Sequence, residues 1–302
     1  MLVVANRNKF FALSGALVLA ALVSITVFGL KQGTDFTGGT LIQATYVDGR
    51  PAPEALSAAL DEAGFAGYSL REANENDYIL RAANLTNDQR EKTEEIFSVD
   101  GKSATIAQLT EVGPTIGKEL RNKALVAIAL VMTAILFFIA FAFRKVSKPI
   151  SSWIYGLIAL VTLGFDVLIP IGFYAFLGAL TGAQVDTLFV TAVLTVLGYS
   201  VHDTIVVFDR TRENLALNQE KNRREDFAET AGRSLQQTFV RSVTTSLTTA
   251  LALTALFLLG PDSTKDFALT LLVGIVAGTY SSIFLATPLL VAVERWRGQK
   301  GK

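Results

Sequence analysis

The chain has 302 residues, of which 51% are hydrophobic, and its 27 basic and 27 acidic side chains give a formal charge of zero. The balanced charge excludes a general attraction to nucleic acid, and the absence of cysteine excludes disulfide bonds and thiolate metal sites. Several long segments carry no charge at all, and each is about 20 residues or longer, enough to cross the hydrocarbon core as a helix. They are residues 10–30, 124–143, 242–261 and 267–293.

A further apolar stretch lies between Lys148 and Asp209, where the only charges are three aspartates. It is long enough for two more crossings, separated by a turn at 177–184. Because a soluble helix of this length would show a charged face, we predict a polytopic membrane protein. The six predicted spans are 10–30, 124–143, 150–177, 185–208, 240–259 and 266–291.

The first span raises the alternative of a cleaved signal peptide. Its uncharged run, residues 10–30, is longer than a typical signal core, and no small-x-small cleavage site follows it cleanly. The sequence therefore favours a retained helix, with residues 1–30 forming the N-terminus and the first span.

The distribution of lysine and arginine predicts the orientation. Basic residues precede the first span, separate spans two and three, fill the loop 209–239 and occupy the tail 292–302. The short loops on the other side hold only Lys265. Both termini are therefore expected in the cytoplasm, and residues 31–123 outside.

Residues 31–123 are predicted to form a small folded domain. The strand-like segment 38–47 precedes an amphipathic helix at 51–64, and two short alternating strands follow around the turn sequence "NEN". A polar helix capped by Thr86 and a last strand complete the order βαββαβ, which is the ferredoxin-like pattern. We find no nucleotide-binding loop and no metal-ligand spacing in this domain, and we expect no cofactor.

The sequence "GTDFTGG" (33–39) connects the first span to this domain. Its three glycines suit a tight turn at the membrane surface. The residues of this predicted turn are Gly33, Asp35, Gly38 and Gly39.

Span four carries polar residues at steps of four, with the chain's single histidine, His202, beside the last of them. This spacing predicts a polar line that faces protein or water and not lipid. Two interpretations stay open for Asp203: a proton or ion pathway, and a structural contact with a neighbouring helix. The line comprises Thr187, Thr191, Thr195, Tyr199 and Asp203.

Two other polar features lie within the predicted spans. Asp166 is near the middle of span three, four residues before Pro170, and is either functional or paired within the bundle. Span five begins "RSVTTSLTT" (241–249), where Arg241 is either a snorkelling anchor or a partner for a carboxylate.

Span six carries small residues at steps of four, a pattern typical of close helix packing. We predict a structural role for this face. Its members are Thr270, Gly274, Gly278, Ser282 and Ala286.

Five stretches, taken in order, resemble the SecF branch of the SecD/SecF family, which belongs to the RND superfamily of proton-driven machines. They are "GTDFTGG", "VGPTIGKEL" (112–120), "GYSVHDTIVVFDRTREN" (198–214), "RSVTTSLTT" and "DFALTLLVGIVAGTYSSIFLATPLL" (266–290). The resemblance implies half of an RND-type bundle, and it implies that the chain is a transport subunit and not an enzyme.

The resemblance also implies roles for single residues. Asp203 matches the fourth-span acid that takes part in proton passage, and Arg241 matches the arginine that pairs with it. From their positions in spans three and four, His202, Asp166, Tyr199 and Thr195 are predicted to belong to the same proton pathway. The chain departs from the family at two positions: His202 stands where asparagine is common, and Phe165 precedes Asp166 where histidine is common.

The implied function is proton-gradient-driven promotion of protein export in the bacterial cytoplasmic membrane. The implied partners are SecD, the SecYEG channel, YajC, YidC, the unfolded exported polypeptide and the lipid bilayer. Two alternatives stay open: an RND-type exporter of small molecules or lipids, and a scaffold subunit that conducts no ions.

Overall fold

A computed structural model describes residues 2–73, 75–144 and 150–300. Lys145 and Lys148, which supported the predicted orientation, lie outside the described residues. The chain divides into two compact units. One comprises Met1–Gly29, Ala127–Phe176 and Thr191–Lys302, and the other comprises Leu30–Val126 and Leu177–Val190.

The N-terminal helices and the small domain come first in the chain. Helix α1 (Leu2–Ala5) precedes α2 (Arg7–Phe28), and α3 (Thr34–Thr37) follows in the glycine motif. The small domain then runs in the order β1 (Gly39–Tyr46), α4 (Pro53–Glu62), β2 (Ser69–Ala73), β3 (Asp77–Ala82), α5 (Asn87–Glu91), α6 (Thr93–Phe97) and β4 (Ala104–Val112).

The four strands form one antiparallel sheet in the order β2-β3-β1-β4. This is the ferredoxin-like arrangement, in which β3 lies between the two strands that α4 connects. The helices cover one side of the sheet, where Leu56, Leu60, Leu80 and Phe97 are fully buried. Small-domain packing thus follows from the apolar spacing of α4 and the alternation of β1.

Thr86 caps α5 as predicted, accepting a hydrogen bond from the backbone N–H of Gln89 at 3.2 Å. The Gln89 side chain completes a capping box by accepting from the N–H of Thr86 at 3.0 Å. The single polar helix expected after this cap is divided, since α5 ends at Glu91 and α6 begins at Thr93.

The remaining helices are α7 (Pro114–Ala142), α8 (Ser152–Thr181), α9 (Thr187–Glu220), α10 (Phe227–Leu259) and α11 (Asp262–Ser281), which continues through the π-helical turn Ser282–Ala286 into α12 (Thr287–Lys300). Within the described residues, six helical segments are long and apolar enough to cross a membrane. These helices and the small antiparallel sheet confirm the predicted fold class.

Helices α9 and α10 extend well beyond the predicted limits of spans four and five. A polar network beyond the apolar segments joins the two extensions. The Glu225 carboxylate accepts hydrogen bonds from Asn218 at 2.6 Å, Thr230 at 2.9 Å and Arg233 at 2.7 Å. Burial acts to raise the pKa of Glu225, but these hydrogen bonds and the charge of Arg233 outweigh it and hold the pKa below its usual range. The network therefore stabilises the folded chain at pH values above the usual pKa of glutamate. This stabilisation is lost as the pH falls through the lowered pKa of Glu225.

Candidate functional site

Asp203 lies on α9 with its side chain turned into the helical bundle, and the residue is only 4% exposed. The Ser246 hydroxyl of α10 donates a hydrogen bond to its carboxylate at 3.3 Å. Ser242, one helical turn earlier, is also buried, and the carboxylate interacts electrostatically with His202 and Arg241. Two serines of "RSVTTSLTT" therefore line the side of α10 that faces the acid.

Asp166 forms a second buried carboxylate site, on α8, and is fully inaccessible. The Ser200 hydroxyl of α9 donates a hydrogen bond to its Oδ2. Within the described part of the chain, Asp166 Oδ1 has no hydrogen-bond partner. Pro170 lies inside the same helix without ending it. Helix α9 thus supplies one acid and the hydroxyl that binds the other.

The small-residue face of span six packs against α9, next to Ser200. A Cβ atom added at Gly278 would lie 2.7 Å from Ser200 Oγ, and one added at Gly274 would lie 2.2 Å from Val196 Cγ2. Ser282 is fully buried in the π-helical turn that follows. These contacts are made within the chain, so this face holds α11 against α9, the helix that carries Asp203 and Ser200.

The predicted polar line of α9 does not share one side of the helix. A step of four residues advances an α-helix by about 40° beyond a full turn, so four steps accumulate about 160°. Thr187, Thr191 and Thr195 are accordingly exposed, Tyr199 is partly buried and Asp203 is buried. The line winds from the exposed side of α9 into the bundle.

Two members of this winding line make contacts of different kinds. The hydroxyls of Tyr199 and Thr249 lie 3.1 Å apart, which links α9 to α10. Thr195 donates to the carbonyl of Thr191 in its own helix at 2.7 Å. Tyr199 therefore fixes the register of the two helices near Asp203, whereas Thr195 does not join that contact.

Arg241 and His202 are both exposed, unlike the acid that they were predicted to assist. In the described residues, no ion pair joins Arg241 to Asp203, whose contact is with Ser246 instead. Because adjacent helical residues differ by about 100°, His202 points away from the bundle when Asp203 points into it. The three residues are neighbours without being in direct contact.

These exposed residues belong to a larger polar surface, which we call the exposed polar face. On each of the two helices its members fall on one side, because each is three or four residues from another member of the same helix. A Cβ atom added at Gly198 would meet open space, so the surface also carries an unfilled position. The exposed polar face comprises Thr191, Thr195, Gly198 and His202 of α9 and Arg241, Thr244, Thr245 and Thr248 of α10.

The glycine motif after the first span binds the start of α9. The Asp35 carboxylate accepts a hydrogen bond from the backbone N–H of Thr187 at 2.9 Å, and Asp186 accepts from that of Phe189 at 2.8 Å. Two carboxylates thus satisfy N–H groups that a helix N-terminus leaves unpaired. The backbone of Gly33 also donates to the carbonyl of Val185 at 2.8 Å.

The other glycines of the motif allow close approach of backbone segments. Gly39 has a φ of +135°, and a Cβ atom there would lie 2.4 Å from the carbonyl oxygen of Ala82. At Gly38 a Cβ atom would lie 2.7 Å from Cα of Pro114, the first residue of α7. The motifs "GTDFTGG" and "VGPTIGKEL", which are distant in sequence, therefore contact each other directly.

A metal site is not formed by the described residues, in which no group of three or more His, Cys, Asp or Glu side chains could hold an ion. The chemistry available in the membrane helices is that of two isolated carboxyl groups, each bonded to a serine hydroxyl. Such groups can bind and release protons.

Comparison with known proteins identifies two matching family models. Residues 91–296 match the C-terminal region of the protein export membrane proteins SecD and SecF, and residues 23–47 match the SecD/SecF GG motif. The first match contains both buried carboxylates, and the second contains the glycine motif that binds α9.

Curated relatives and a solved structure agree with these matches. The chain is 40% identical to the protein translocase subunit SecF of Thermobaculum terrenum, covering 95% of this chain and 92% of the relative. It is 35% identical to the protein translocase subunit SecDF of Thermus thermophilus, covering 96% of this chain but only 38% of that longer protein. The crystal structure of the Thermus SecDF superposes with a TM-score of 0.82 at 32% identity, covering 97% of this chain and 38% of that chain.

The close contact of α11 with α9 predicts a steric effect at Gly278. The substitution Gly278→Ala should cost about 1–3 kcal/mol, because its Cβ atom would overlap Ser200, whose hydroxyl binds Asp166. The melting temperature of the detergent-solubilised chain should fall by several degrees. As a control, Gly164→Ala in α8 adds a Cβ atom to open space and should leave the temperature unchanged or slightly higher. Equal melting temperatures for the two variants would contradict the packing described.

Proposed function

Because the chain belongs to the SecF branch of the SecD/SecF family of protein-export membrane proteins, we propose that it uses the proton gradient to promote the outward movement of exported polypeptides. Its role as a subunit of the Sec export machinery follows from the family. The proton-driven step and the residues that perform it are the proposal. The observation that carries the proposal is the buried Asp203 carboxyl beside the exposed polar face.

SecD is the proposed occupant of the exposed polar face. This surface on membrane-crossing helices should contact protein or water, because guanidinium and imidazole groups in contact with lipid chains are costly. The longer SecDF relative supports this assignment, since the region matching this chain makes up 38% of one continuous polypeptide. In this chain the corresponding surface would be covered by a separate subunit.

Protonation of Asp203 is the proposed chemical step. An ionised carboxylate in a poorly solvated site favours a nearby cation, whereas the neutral acid does not. Arg241 lies on the exposed polar face, which the proposed partner would cover. It would approach the Asp203 carboxylate when that group is charged and separate from it after protonation. The arrangement described, with Ser246 bound to the acid and Arg241 exposed, corresponds to the separated state.

Asp166, Ser200 and Tyr199 would assist from within the bundle. Asp166 of α8 is bonded to α9, and Asp203 of α9 is bonded to α10. Because α9 takes part in both contacts, a change at either carboxyl would alter the packing of α9. His202 would add an imidazole on the exposed polar face, next to Asp203 in the chain. Thr195 would contribute a hydroxyl on the same surface.

The outer domain would transmit this change to the exported chain. Asp35 of the glycine motif binds the first residue of α9, the helix that carries Asp203. The motif thus connects the beginning of the domain with the acid-bearing helix through one hydrogen bond. Movement of the domain after each proton transfer would draw the polypeptide outward, and one charge crossing about 100 mV supplies ~2.3 kcal/mol.

The cellular arrangement is also part of the proposal. The chain would reside in the bacterial cytoplasmic membrane with both termini in the cytoplasm, and would work with the SecYEG channel, YajC and YidC. The distribution of basic residues supports this orientation. Of the alternatives, a small-molecule exporter is not favoured by the SecF and SecDF matches. A subunit that conducts no ions is the outcome against which the proton experiment is designed.

The proposed orientation predicts that the outer domain and the α9–α10 loop lie on opposite sides of the membrane. Reporter enzymes that are active on only one side should therefore give opposite results when fused after residue 100 and after residue 220. A fusion after residue 60 serves as a control and should match the first. The same result at residues 100 and 220 would rule out this orientation.

The proton role predicts a selective loss in the Asp203→Asn variant. Asparagine keeps the size and hydrogen bonding of the side chain but cannot titrate, so export into membrane vesicles should fall to the level measured without an imposed gradient. Arg241→Ala should lose the same component, whereas Arg241→Lys should keep part of it because the charge remains. His202→Asn, which introduces the residue common in the family, should be tolerated.

The matched control is Asp209→Asn, which removes an exposed carboxylate further along the same helix. It should retain full stimulation by the gradient. Full stimulation in the Asp203→Asn protein would show that Asp203 is a structural contact, and would favour the scaffold role.

The partner assignment predicts a steric effect at Gly198. Since a Cβ atom there meets open space in this chain, Gly198→Leu should leave the chain itself folded but reduce recovery of SecD by at least about tenfold, a loss of about 1.4 kcal/mol or more. Gly15→Leu is the control, because Gly15 of α2 is also exposed and unobstructed. Affinity purification after gentle solubilisation measures both. Undiminished recovery with Gly198→Leu would place the partner elsewhere.

A further inference from the structure

A polar cavity lies where α1, α2, α10 and α12 meet, away from both buried carboxylates. We propose that this cavity binds the headgroup of a zwitterionic aminophospholipid of the phosphoethanolamine type. The cavity has a volume of about 420 Å³, within the range of small-ligand sites. Its charged and polar lining residues are Arg7, Asn8, Asp226, Glu229 and Arg295.

The two arginines lie at the level expected for lipid phosphates. Arg7 is three residues before the uncharged segment 10–30, and Arg295 is two residues after the uncharged segment 267–293. At 1.5 Å per residue, these positions are about 3–5 Å beyond the hydrocarbon ends of their helices. The headgroup region occupies that depth.

The acidic residues approach the cavity from the aqueous side. Asp226 precedes α10 and Glu229 lies in its first turn, well before the uncharged segment of that helix begins at Ser242. A phosphoethanolamine headgroup has the same order of charges, since its phosphate is nearer the acyl chains and its ammonium group extends towards water. The guanidinium groups would bind the phosphate, and the carboxylates would accept hydrogen bonds from the ammonium.

The charged groups of the cavity are not committed to strong contacts with one another. Asp226 does not cap α10 with its side chain, and its carboxylate lies 3.8 Å from the Arg295 guanidinium, which is long for an ion pair. In the described part of the chain, no hydrogen bond or ion pair engages the side chains of Arg7 and Glu229. The floor is apolar, with Val4 and Ala228 buried beneath the charges.

The balance of charges distinguishes the ligand class. Among the described lining residues, two arginines and two acids give a formal charge of zero, and the neighbouring Glu294 interacts electrostatically with Asp226 and Arg295, so the cavity has no net attraction for an anionic lipid. A quaternary ammonium headgroup would place methyl groups where the carboxylates require N–H donors. The primary ammonium of phosphatidylethanolamine satisfies both conditions.

The test measures which lipid remains bound to the solubilised full-length protein. The protein is equilibrated with vesicles of equal parts phosphatidylethanolamine, phosphatidylglycerol and phosphatidylcholine, and bound lipids are counted by native mass spectrometry. We expect phosphatidylethanolamine to be retained at least about tenfold over either competitor. Equal retention of the three lipids would overturn the proposal.

Variants separate the two halves of the site. The double variant Asp226→Asn, Glu229→Gln should lose the preference and gain phosphatidylglycerol, whereas Arg7→Gln, Arg295→Gln should retain none of the lipids preferentially. Arg297→Gln, two residues beyond Arg295, is the control and should bind like the unaltered protein. Size-exclusion profiles verify folding, and Glu229→Gln alone, with half the effect, replaces any double variant that fails to fold. An unchanged preference in the acidic variants would overturn the assignment.

Soluble competitors identify which part of the ligand is recognised. Glycerophosphoethanolamine should displace bound phosphatidylethanolamine at millimolar concentration, and inorganic phosphate at the same concentration should not. Displacement by phosphate alone would show a simple phosphate site and would contradict recognition of an aminophospholipid.

Discussion

The structure depends on one constraint: a polar side chain within the hydrocarbon layer has no water and must find its partner in protein. The chain meets this constraint internally at two places, where Ser246 binds Asp203 and Ser200 binds Asp166. On the exposed polar face, the hydroxyls of Thr195, Thr245 and Thr248 donate to backbone carbonyls of their own helices, whereas Arg241 and His202 present their charged or polar groups outside the bundle. The buried residues organise the bundle, and we propose that another subunit covers the exposed polar face.

Helix α9 is central to these contacts, because each of its sides has a different environment. One side places Asp203 against α10, another brings Ser200 to Asp166 and to the glycine surface of α11, and a third is exposed. Its first residue is bound by Asp35 from the glycine motif. A substitution on any side of α9 therefore affects a distinct contact, which makes the proton, packing and partner roles separable by experiment.

Sequence reasoning predicted the six spans and the ferredoxin-like domain because both depend on local patterns: uncharged length for the spans, and apolar periodicity with turn residues for the domain. It was wrong where a small rotation at each step adds up along a helix. The polar line of α9 was expected on one side, but a step of four drifts by about 40°, so Thr187 and Asp203 end far apart around the helix. Charged residues indicate where a helix leaves the hydrocarbon layer of the membrane, but they do not indicate where the helix ends. The extensions of α9 and α10 beyond the apolar segments were therefore not predicted. The contact between Asp35 and Thr187 spans 152 positions and left no local signal.

The extensions of α9 and α10 form long continuous arms, which would amplify a small tilt of either helix within the bundle. From Asp203 to Asn218 the helix is uninterrupted, and fifteen residues at 1.5 Å each make an arm of about 22 Å. Tilting such an arm by about 5° at the acid displaces its tip by about 2 Å. Because Glu225 joins Asn218 to Thr230 and Arg233, the tips of both helices would move together. A small rearrangement around Asp203, such as the proposed protonation would cause, would thereby become a displacement of a few ångströms on the aqueous side.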